Sequence, residues 1–479
     1  MLESLSVQDI VSNILSKKIK AEEVTEFYLN RIKKLNPVLN AIVSLKDEDL
    51  IRNEVKYLKQ NNEDTKSLLF GLPMAIKDLT DAEGLPTTYG LKKYNNNLPS
   101  KNSIIVDRLI KHGAIIIGKT NTPELGLGSH TTNKLFGPTS NIFDHTKTAG
   151  GSSGGAASAV GDSLLPFADG SDMMGSCRNP AAYSNLYGFR PTPGLIPEYR
   201  IMKIDEQFPL LSTPGCLTRT PDDMALFLDA VSGKHPLDPF SIDAEFSFRE
   251  ESDHDFSEIK IGWLSNMNGS YKFEAGIMDL CEKKLNELDK TQMHVSSLVS
   301  DINTNMLWDS WTTLRAKNIF DYLTEMKLEV NEELGLPVRW EYEKGRGLKS
   351  KDIETSLDQR NECNIVVEKL FLKYDFLAMP SAQVFPFDKS LEYPDQIAGY
   401  SMDTYHRWME VVILASLLGL PTMSVPIGFN KHGLPMGMQI IGKQGDDLKV
   451  VSFAKRLSLI HISEPTRRTP ISYAVFCLK

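Results

Sequence analysis

The sequence predicts an α/β fold built on a central sheet. Apolar, β-rich runs at 72–76 and 114–117 alternate with amphipathic helical patterns such as 222–232, and this alternation is typical of α/β proteins. The small residues that follow Gly154 indicate a tightly packed helix that begins at a glycine-rich loop. Further elements are predicted as helices at 6–15, 21–36, 47–60 and 411–418, and as strands at 40–43, 374–380, 422–426 and 436–442.

Composition narrows the class of protein. The 479 residues are 41% hydrophobic and 24% charged, which is ordinary for a globular protein with an ample core. Lys and Arg number 53 against 62 Asp and Glu, a net charge of −9. A nonspecific nucleic-acid or anionic-membrane surface would be basic, so we expect neither partner.

The cysteines and the N-terminus indicate a reducing compartment. Cys177, Cys216, Cys281, Cys363 and Cys477 are scattered and form no C-x-x-C pair, so neither a disulfide framework nor a zinc site is expected. We predict no metal and no cofactor. No secretory signal pattern opens the chain, and the longest apolar stretch is too short to span a bilayer. A cytoplasmic protein is predicted.

Two serine-containing loops and one lysine carry the chemistry. Ser152 lies within the run of glycines and serines at 150–155, and Ser176 follows Gly175 in the segment 169–180. Glycine gives such loops conformations that bring hydroxyl and N–H groups close to a substrate. Lys77 ends the apolar run 72–76. Serine needs a base to become a nucleophile, and a lysine is a base only when burial lowers its pKa from about 10.4. These residues predict an amide hydrolase.

The segments that carry these residues resemble the amidase signature enzymes. The resemblance runs from Ser6 to about Arg456, and its pieces come in the order of that family. They are the lysine segment at 71–78, Gly118-Lys119-Thr120-Asn121-Thr122-Pro123-Glu124, Gly137-Pro138-Thr139-Ser140-Asn141, the two serine loops, Gly188-Phe189-Arg190-Pro191-Thr192, Ser212-Thr213-Pro214-Gly215 with Arg219-Thr220, and Gly419-Leu420-Pro421.

The resemblance implies one domain over 1–456, with a large central mixed β-sheet covered by helices on both faces. It also implies a Ser-Ser-Lys triad. Ser176 would form an acyl-enzyme with the carbonyl carbon of an amide or ester. Ser152, which takes part in a cis peptide bond in the family, would pass the proton of Ser176 toward Lys77.

Backbone N–H groups just before the nucleophile would form the oxyanion hole, as the resemblance implies. The chain departs from the family here, because Met174 stands where glycine is usual and Cys177 where an aliphatic residue is common. A packed small side chain is the expected role of Cys177. The expected oxyanion donors are Met173, Met174, Gly175 and Ser176.

Three further residues are expected to support the loops. Ser153 is the nearest rival to Ser152 and is assigned to loop support. Asp172 and Arg178 flank the nucleophile and either pair to hold the loop or remain two separate solvated charges.

Two regions stand apart from the motifs. Residues 235–370 are predicted to be a helical elaboration on the substrate side of the domain. Residues 457–479, which include His461 and Cys477, resemble the in-frame translation of a common sequencing adapter. We interpret them as an adapter-derived tail, and expect the C-terminal helix to be cut off near Arg456.

Three functions remain open on the sequence alone, beside one competing mechanism. The first is a stand-alone amidase acting on a linear carboxylic amide or an ester. The second is the glutaminase-type subunit of a tRNA-dependent amidotransferase, which the pair Met173-Met174 disfavours. The third is a catalytically silent binding relative. The competing alternative is an elbow-type serine hydrolase, since 150–154 also fits G-x-S-x-G, with His406 or His432 as its histidine. It leaves Lys77 and Ser176 without a role.

Substrate residues are expected at 306–342, including Trp308 and Trp311, and at 402–408. Their aromatic side chains favour a small or medium, uncharged, aryl or alkyl amide as the small-molecule substrate. The oligomeric state stays open, a homodimer included.

Overall fold

A computed structural model describes residues 2–61, 67–199, 209–250, 256, 258–291 and 293–459. It confirms the α/β class. Its helices are α1 (Val7–Leu15), α2 (Ala21–Leu39), α3 (Glu48–Asn61), α4 (Ile104–Lys111), α5 (Gly154–Gly161), α6 (Arg178–Tyr183), α7 (Pro221–Val231), α8 (Ile277–Asp289), α9 (Thr304–Glu325), α10 (Leu336–Arg346), α11 (Ser350–Phe371), α12 (Ile413–Leu418) and α13 (Asp447–Leu459). Its strands are β1 (Ile42–Leu45), β2 (Pro73–Lys77), β3 (Ile115–Thr120), β4 (Ala168–Asp172), β5 (Tyr187–Arg190), β6 (Thr213–Thr218), β7 (Lys260–Trp263), β8 (His294–Ser297), β9 (Phe376–Pro380), β10 (Gln396–Ile397), β11 (Tyr400–Ser401), β12 (Thr422–Phe429) and β13 (Pro435–Ile441).

An eight-stranded mixed sheet forms the centre, in the order β4-β6-β5-β12-β13-β9-β7-β8. Its strands pair antiparallel from β4 to β9, and β9, β7 and β8 are parallel. Helices α6, α7, α8 and α13 pack against it. The large mixed central sheet covered by helices agrees with the prediction.

A smaller sheet carries the lysine. Strand β3 pairs antiparallel with β1 and parallel with β2, whose last residue is Lys77. All five side chains of β2 are buried. Strand β2 packs against β4 of the large sheet, so Lys77 lies where the two sheets meet.

Helix α1 begins as predicted, because the Ser6 hydroxyl accepts the N–H of Asp9 at 3.0 Å. The predicted end of α2 at Asn36 is wrong, since the helix continues through Pro37 to Leu39. The Asn36 side chain accepts the N–H groups of Ala41 and Ile42 at 2.9 and 2.8 Å. These bonds secure the last turn despite the missing N–H of proline.

The prediction for 235–370 needs a correction. Helices α8 to α11 do lie in this range, but strands β7 and β8 complete one edge of the large sheet. The region therefore contributes to the core as well as to the helical layer. Of the part of the chain that the structure describes, no helix is long and apolar enough to cross a membrane.

Helix α13 continues past the predicted end at Arg456 to Leu459, and the Leu457 side chain is buried in the core. Most of the tail that we interpret as adapter-derived, 460–479, lies outside the described residues.

Candidate active site

Lys77 lies at the centre of the candidate site. Its Nζ donates to three hydroxyl groups, Ser152 Oγ at 2.8 Å, Ser153 Oγ at 2.9 Å and Ser171 Oγ at 3.0 Å. The side chain is fully buried. Lys77 and Ser152 are therefore in direct contact, as the predicted triad requires.

Burial lowers the pKa of Lys77 to about 8, because the charged ammonium loses its hydration. The carboxylates of Asp169 and Asp172 act in the opposite direction, because they stabilise the ammonium. A lysine with this pKa is partly neutral near neutral pH, so it can accept a proton.

Ser152 follows a cis peptide bond to Gly151. The N–H of Gly151 is held by Asn179 Oδ1 at 3.1 Å, and the N–H of Gly154 by Thr131 Oγ1 at 2.9 Å. The Ser152 side chain is 2% exposed. The loop is thus fixed on both sides of Ser152, and α5 begins directly after it.

The loop between β4 and α6 carries Ser176. The carbonyl oxygen of Ser176 accepts the N–H of Ser153 at 3.2 Å, so the two serine loops meet as predicted. Gly175 has φ +76°, a conformation that L side chains rarely adopt. Met174 does not share this conformation, which explains how a methionine is accommodated there.

The expected oxyanion donors differ among themselves. The N–H of Gly175 donates to Asp172 Oδ1 at 3.0 Å, so this donor is already engaged. For the N–H groups of Met173, Met174 and Ser176, the described residues supply no acceptor. Of the four expected donors, Gly175 is thus the one that has an acceptor within the described residues.

Asp172 and Arg178 form a buried ion pair. Arg178 donates from Nε to Asp172 Oδ2 at 3.0 Å and from Nη2 to Oδ1 at 2.9 Å, and both side chains are 0% exposed. Burial alone raises the pKa of Asp172, but Arg178 and Arg190 hold that pKa well below its usual range. Of the two alternatives left by the sequence, the structure shows the pair.

Several residues around the site were missed by the sequence analysis. Ser171 contacts the ammonium of Lys77, and Asp169 Oδ1 accepts the main-chain N–H of Lys77 at 2.9 Å. Both belong to β4, and their spacing of two places them on one face of a strand. That spacing, read from the sequence, could have indicated that both side chains lie on the face that meets Lys77. Arg178 also donates to Ser416 Oγ at 2.8 Å and to the Val412 carbonyl at 3.0 Å, contacts that no local pattern indicates.

Two other candidate nucleophile systems are not assembled. Burial raises the pKa of the Cys177 thiol far above its usual range, which disfavours the reactive thiolate. For His406, burial has the opposite effect and lowers the pKa well below its usual value. The His406 ring stacks on the Tyr405 ring, with 4.4 Å between the ring centroids. Its ring nitrogens have no hydrogen-bond partner among the residues described, so no serine is paired with it. His432 is exposed in the turn before β13.

The region predicted to bind substrate adjoins the nucleophile loop. Arg315 Nη1 lies 3.3 Å from Met173 Sδ. Arg315 also pairs with buried Glu341 at 2.5 Å, and its Nη2 donates to the Tyr405 hydroxyl at 3.0 Å. Trp308 is buried beside His406 and Arg407. This cluster joins α9, α10 and the segment before α12 to the loop that carries Ser176.

A profile of the Amidase family matches residues 23–451. The chain belongs to the amidase signature family. Enzymes of this family hydrolyse carbon–nitrogen bonds, so the predicted reaction class is confirmed. The chain is 30% identical over 466 residues to an acylamidase of Rhodococcus erythropolis, covering 96% of both chains. It is 29% identical over 478 residues to a glutamyl-tRNA(Gln) amidotransferase subunit of Caldanaerobacter subterraneus, covering 95% of this chain and 96% of the other.

Solved structures agree with this amidase signature assignment. A bacterial aryl acylamidase of the same family superposes with a TM-score of 0.88 at 28% identity, covering 95% of this chain and 96% of the other. A 6-aminohexanoate cyclic dimer hydrolase gives a TM-score of 0.85 at 20% identity, covering 98% of each chain, and at that identity it shows the fold alone. Within the described ranges, no group of three or more His, Cys, Asp or Glu side chains is placed to hold a metal ion.

Proposed function

We propose that this amidase signature enzyme hydrolyses an uncharged carboxylic amide, and the corresponding ester, through an acyl-enzyme on Ser176. One observation carries the proposal. Lys77, buried and with its pKa lowered to about 8, contacts the hydroxyl of Ser152 at 2.8 Å, and Ser152 lies in the loop that meets the Ser176 loop.

In the first step Ser176 Oγ bonds to the substrate carbonyl carbon. Its proton passes to Ser152 Oγ, while the Ser152 proton passes to the neutral Nζ of Lys77. The carbonyl oxygen becomes an oxyanion, which the N–H groups of Met173, Met174 and Ser176 stabilise. When the carbon–nitrogen bond breaks, the proton returns from Lys77 through Ser152 to the leaving nitrogen. Water then repeats the sequence, releases the carboxylate and restores Ser176.

The cluster next to Met173 supports an uncharged substrate. Arg315 is paired with Glu341 and hydrogen-bonded to Tyr405, so its positive charge is compensated. Recognition of a free amino acid would favour an unpaired cation for the α-carboxylate. The acylamidase and aryl acylamidase relatives support an acylated amine as substrate, whereas the amidotransferase relatives support glutamine.

We also propose that the chain acts without a partner protein.

The test is a substrate comparison with the purified chain. An acylated aniline, a short aliphatic amide, an aryl ester and glutamine are compared at equal concentration, with Ser176→Ala as the matched blank. Hydrolysis of the anilide and the ester, absent from the blank, is expected. Hydrolysis of glutamine alone would favour the amidotransferase-type activity. Rates equal to the blank for every substrate would contradict the proposal.

A further inference from the structure

Asp169 is a buried carboxylate next to the candidate base, and the proton relay does not use it. It lies in β4 and is 1% exposed. Its Oδ1 accepts the N–H of Lys77 at 2.9 Å, so it binds the main chain of the residue whose ammonium is to accept the proton. Burial of a carboxylate costs free energy unless the group is hydrogen-bonded or paired, because ionisation there is opposed by lost hydration.

The strand geometry places Asp169 on the face of β4 that meets Lys77. Asp169 and Ser171 share one face of β4, and Ser171 Oγ lies 3.0 Å from Lys77 Nζ. One side chain of this face therefore holds the main chain of Lys77 while the next holds its ammonium. The titratable groups that interact with Asp169 or Lys77 come from five places: Lys77 on β2, Lys119 on β3, Asp172 on β4, Cys177 just before α6, and Cys216 on β6. Arg178, at the start of α6, pairs with Asp172.

We propose that Asp169 is a positioning residue for the lysine base, whose carboxylate fixes the end of β2 and whose negative charge sets the pH above which Lys77 is neutral. The inference rests on the proposed function, because it assumes that Lys77 is the base. Burial raises the pKa of Asp169 to about 6, so the carboxylate is ionised wherever Lys77 titrates. An ionised neighbour stabilises the ammonium, and its removal makes the lysine lose its proton at lower pH.

The experiment measures the rate constant for inactivation by a fluorophosphonate from about pH 5.5 to about pH 10, a range that brackets the pKa of Lys77. In the wild type the rate rises with pH to a plateau, with a midpoint near the Lys77 pKa of about 8. In Asp169→Asn, which keeps an oxygen acceptor for the Lys77 N–H, the midpoint is expected to fall by about one pH unit. In Asp169→Glu, which keeps the charge, the midpoint stays near the wild-type value while the plateau falls.

Asp223 provides the matched control. It is also a buried carboxylate that accepts a main-chain N–H, from Val7 at 2.8 Å, and burial raises its pKa to about 6 as well. Because it lies on α7 and does not contact Lys77, Asp223→Asn should leave the midpoint unchanged.

Each outcome decides the inference. A midpoint in Asp169→Asn equal to that of the wild type, or shifted upward, would overturn it, since a purely structural residue lowers the rate at every pH alike. If circular dichroism shows that Asp169→Asn is unfolded, Asp169→Ser, which also removes the charge, takes its place with the same expected shift. Failure of the proposed function is separate, because the wild type itself would then not be labelled at Ser176.

Discussion

Replacing Lys77 with methionine is expected to lower kcat/KM for amide hydrolysis by about 10³-fold, within the range found for loss of a general base. Methionine retains most of the volume of the side chain but cannot accept a proton from Ser152. The hydroxyls of Ser152, Ser153 and Ser171 also lose their shared donor. The measurement is steady-state kinetics on whichever amide the wild type hydrolyses.

A second buried lysine provides the control. Lys119 Nζ donates to the Thr80 carbonyl oxygen and to Thr87 Oγ1, and touches none of the serines around Lys77. Lys119→Met therefore tests whether the loss of any buried lysine has the same effect. We expect it to lower stability much more than kcat/KM. Equal losses of kcat/KM in the two variants would contradict the role assigned to Lys77.

Replacing Arg178 with methionine is expected to reduce the free energy of unfolding by about 3–5 kcal/mol. The substitution leaves the carboxylate of Asp172 buried, with Arg190 at 3.6 Å as its remaining ion-pair partner among the described residues. It also removes the donors that bind Ser416 Oγ and the Val412 carbonyl oxygen. Equilibrium unfolding in urea, with comparable slopes for the two proteins, provides the measurement.

An exposed ion pair provides the comparison for this loss. Lys317 pairs with Asp321 one turn along α9, and both side chains are accessible to water. Lys317→Met should change the unfolding midpoint little, because water screens such pairs. A change in Arg178→Met no larger than that in Lys317→Met would show that the buried pair does not hold the loop.

The contacts of Lys77 were accessible to sequence analysis because they depend on short motifs. The glycine-rich loop around Ser152 and the apolar run before Lys77 each predict a local conformation and a chemical role. Ser171 and Asp169 could have been added from the alternation of β4, since both side chains point to the face that meets Lys77. The hydrogen bond from the Gly175 N–H to Asp172 could not have been predicted, because it depends on how the Asp172 side chain turns back onto its own loop.

Other features depend on contacts between distant parts of the chain. Strands β7 and β8 are short. They lie at the edge of the large sheet because β7 pairs with β9, far along the chain, and β8 pairs with β7. The last turn of α2 persists past Pro37 because the Asn36 side chain binds the next segment. A rule that considers a residue and its sequence neighbours alone predicts that the helix ends before Pro37. The contacts of Arg178 with Val412 and Ser416 likewise join parts of the chain that are distant in sequence.

The most direct test of the proposed mechanism identifies the residue that becomes acylated. The purified protein is treated with a fluorophosphonate, digested and mapped by mass spectrometry, with Ser176→Ala and Lys77→Met treated in parallel. The mechanism predicts a single modified peptide that carries the label on Ser176, no label in Ser176→Ala, and strongly slowed labelling in Lys77→Met. A label on Ser152 or Ser153, or labelling of Ser176 at an unchanged rate in Lys77→Met, would contradict it.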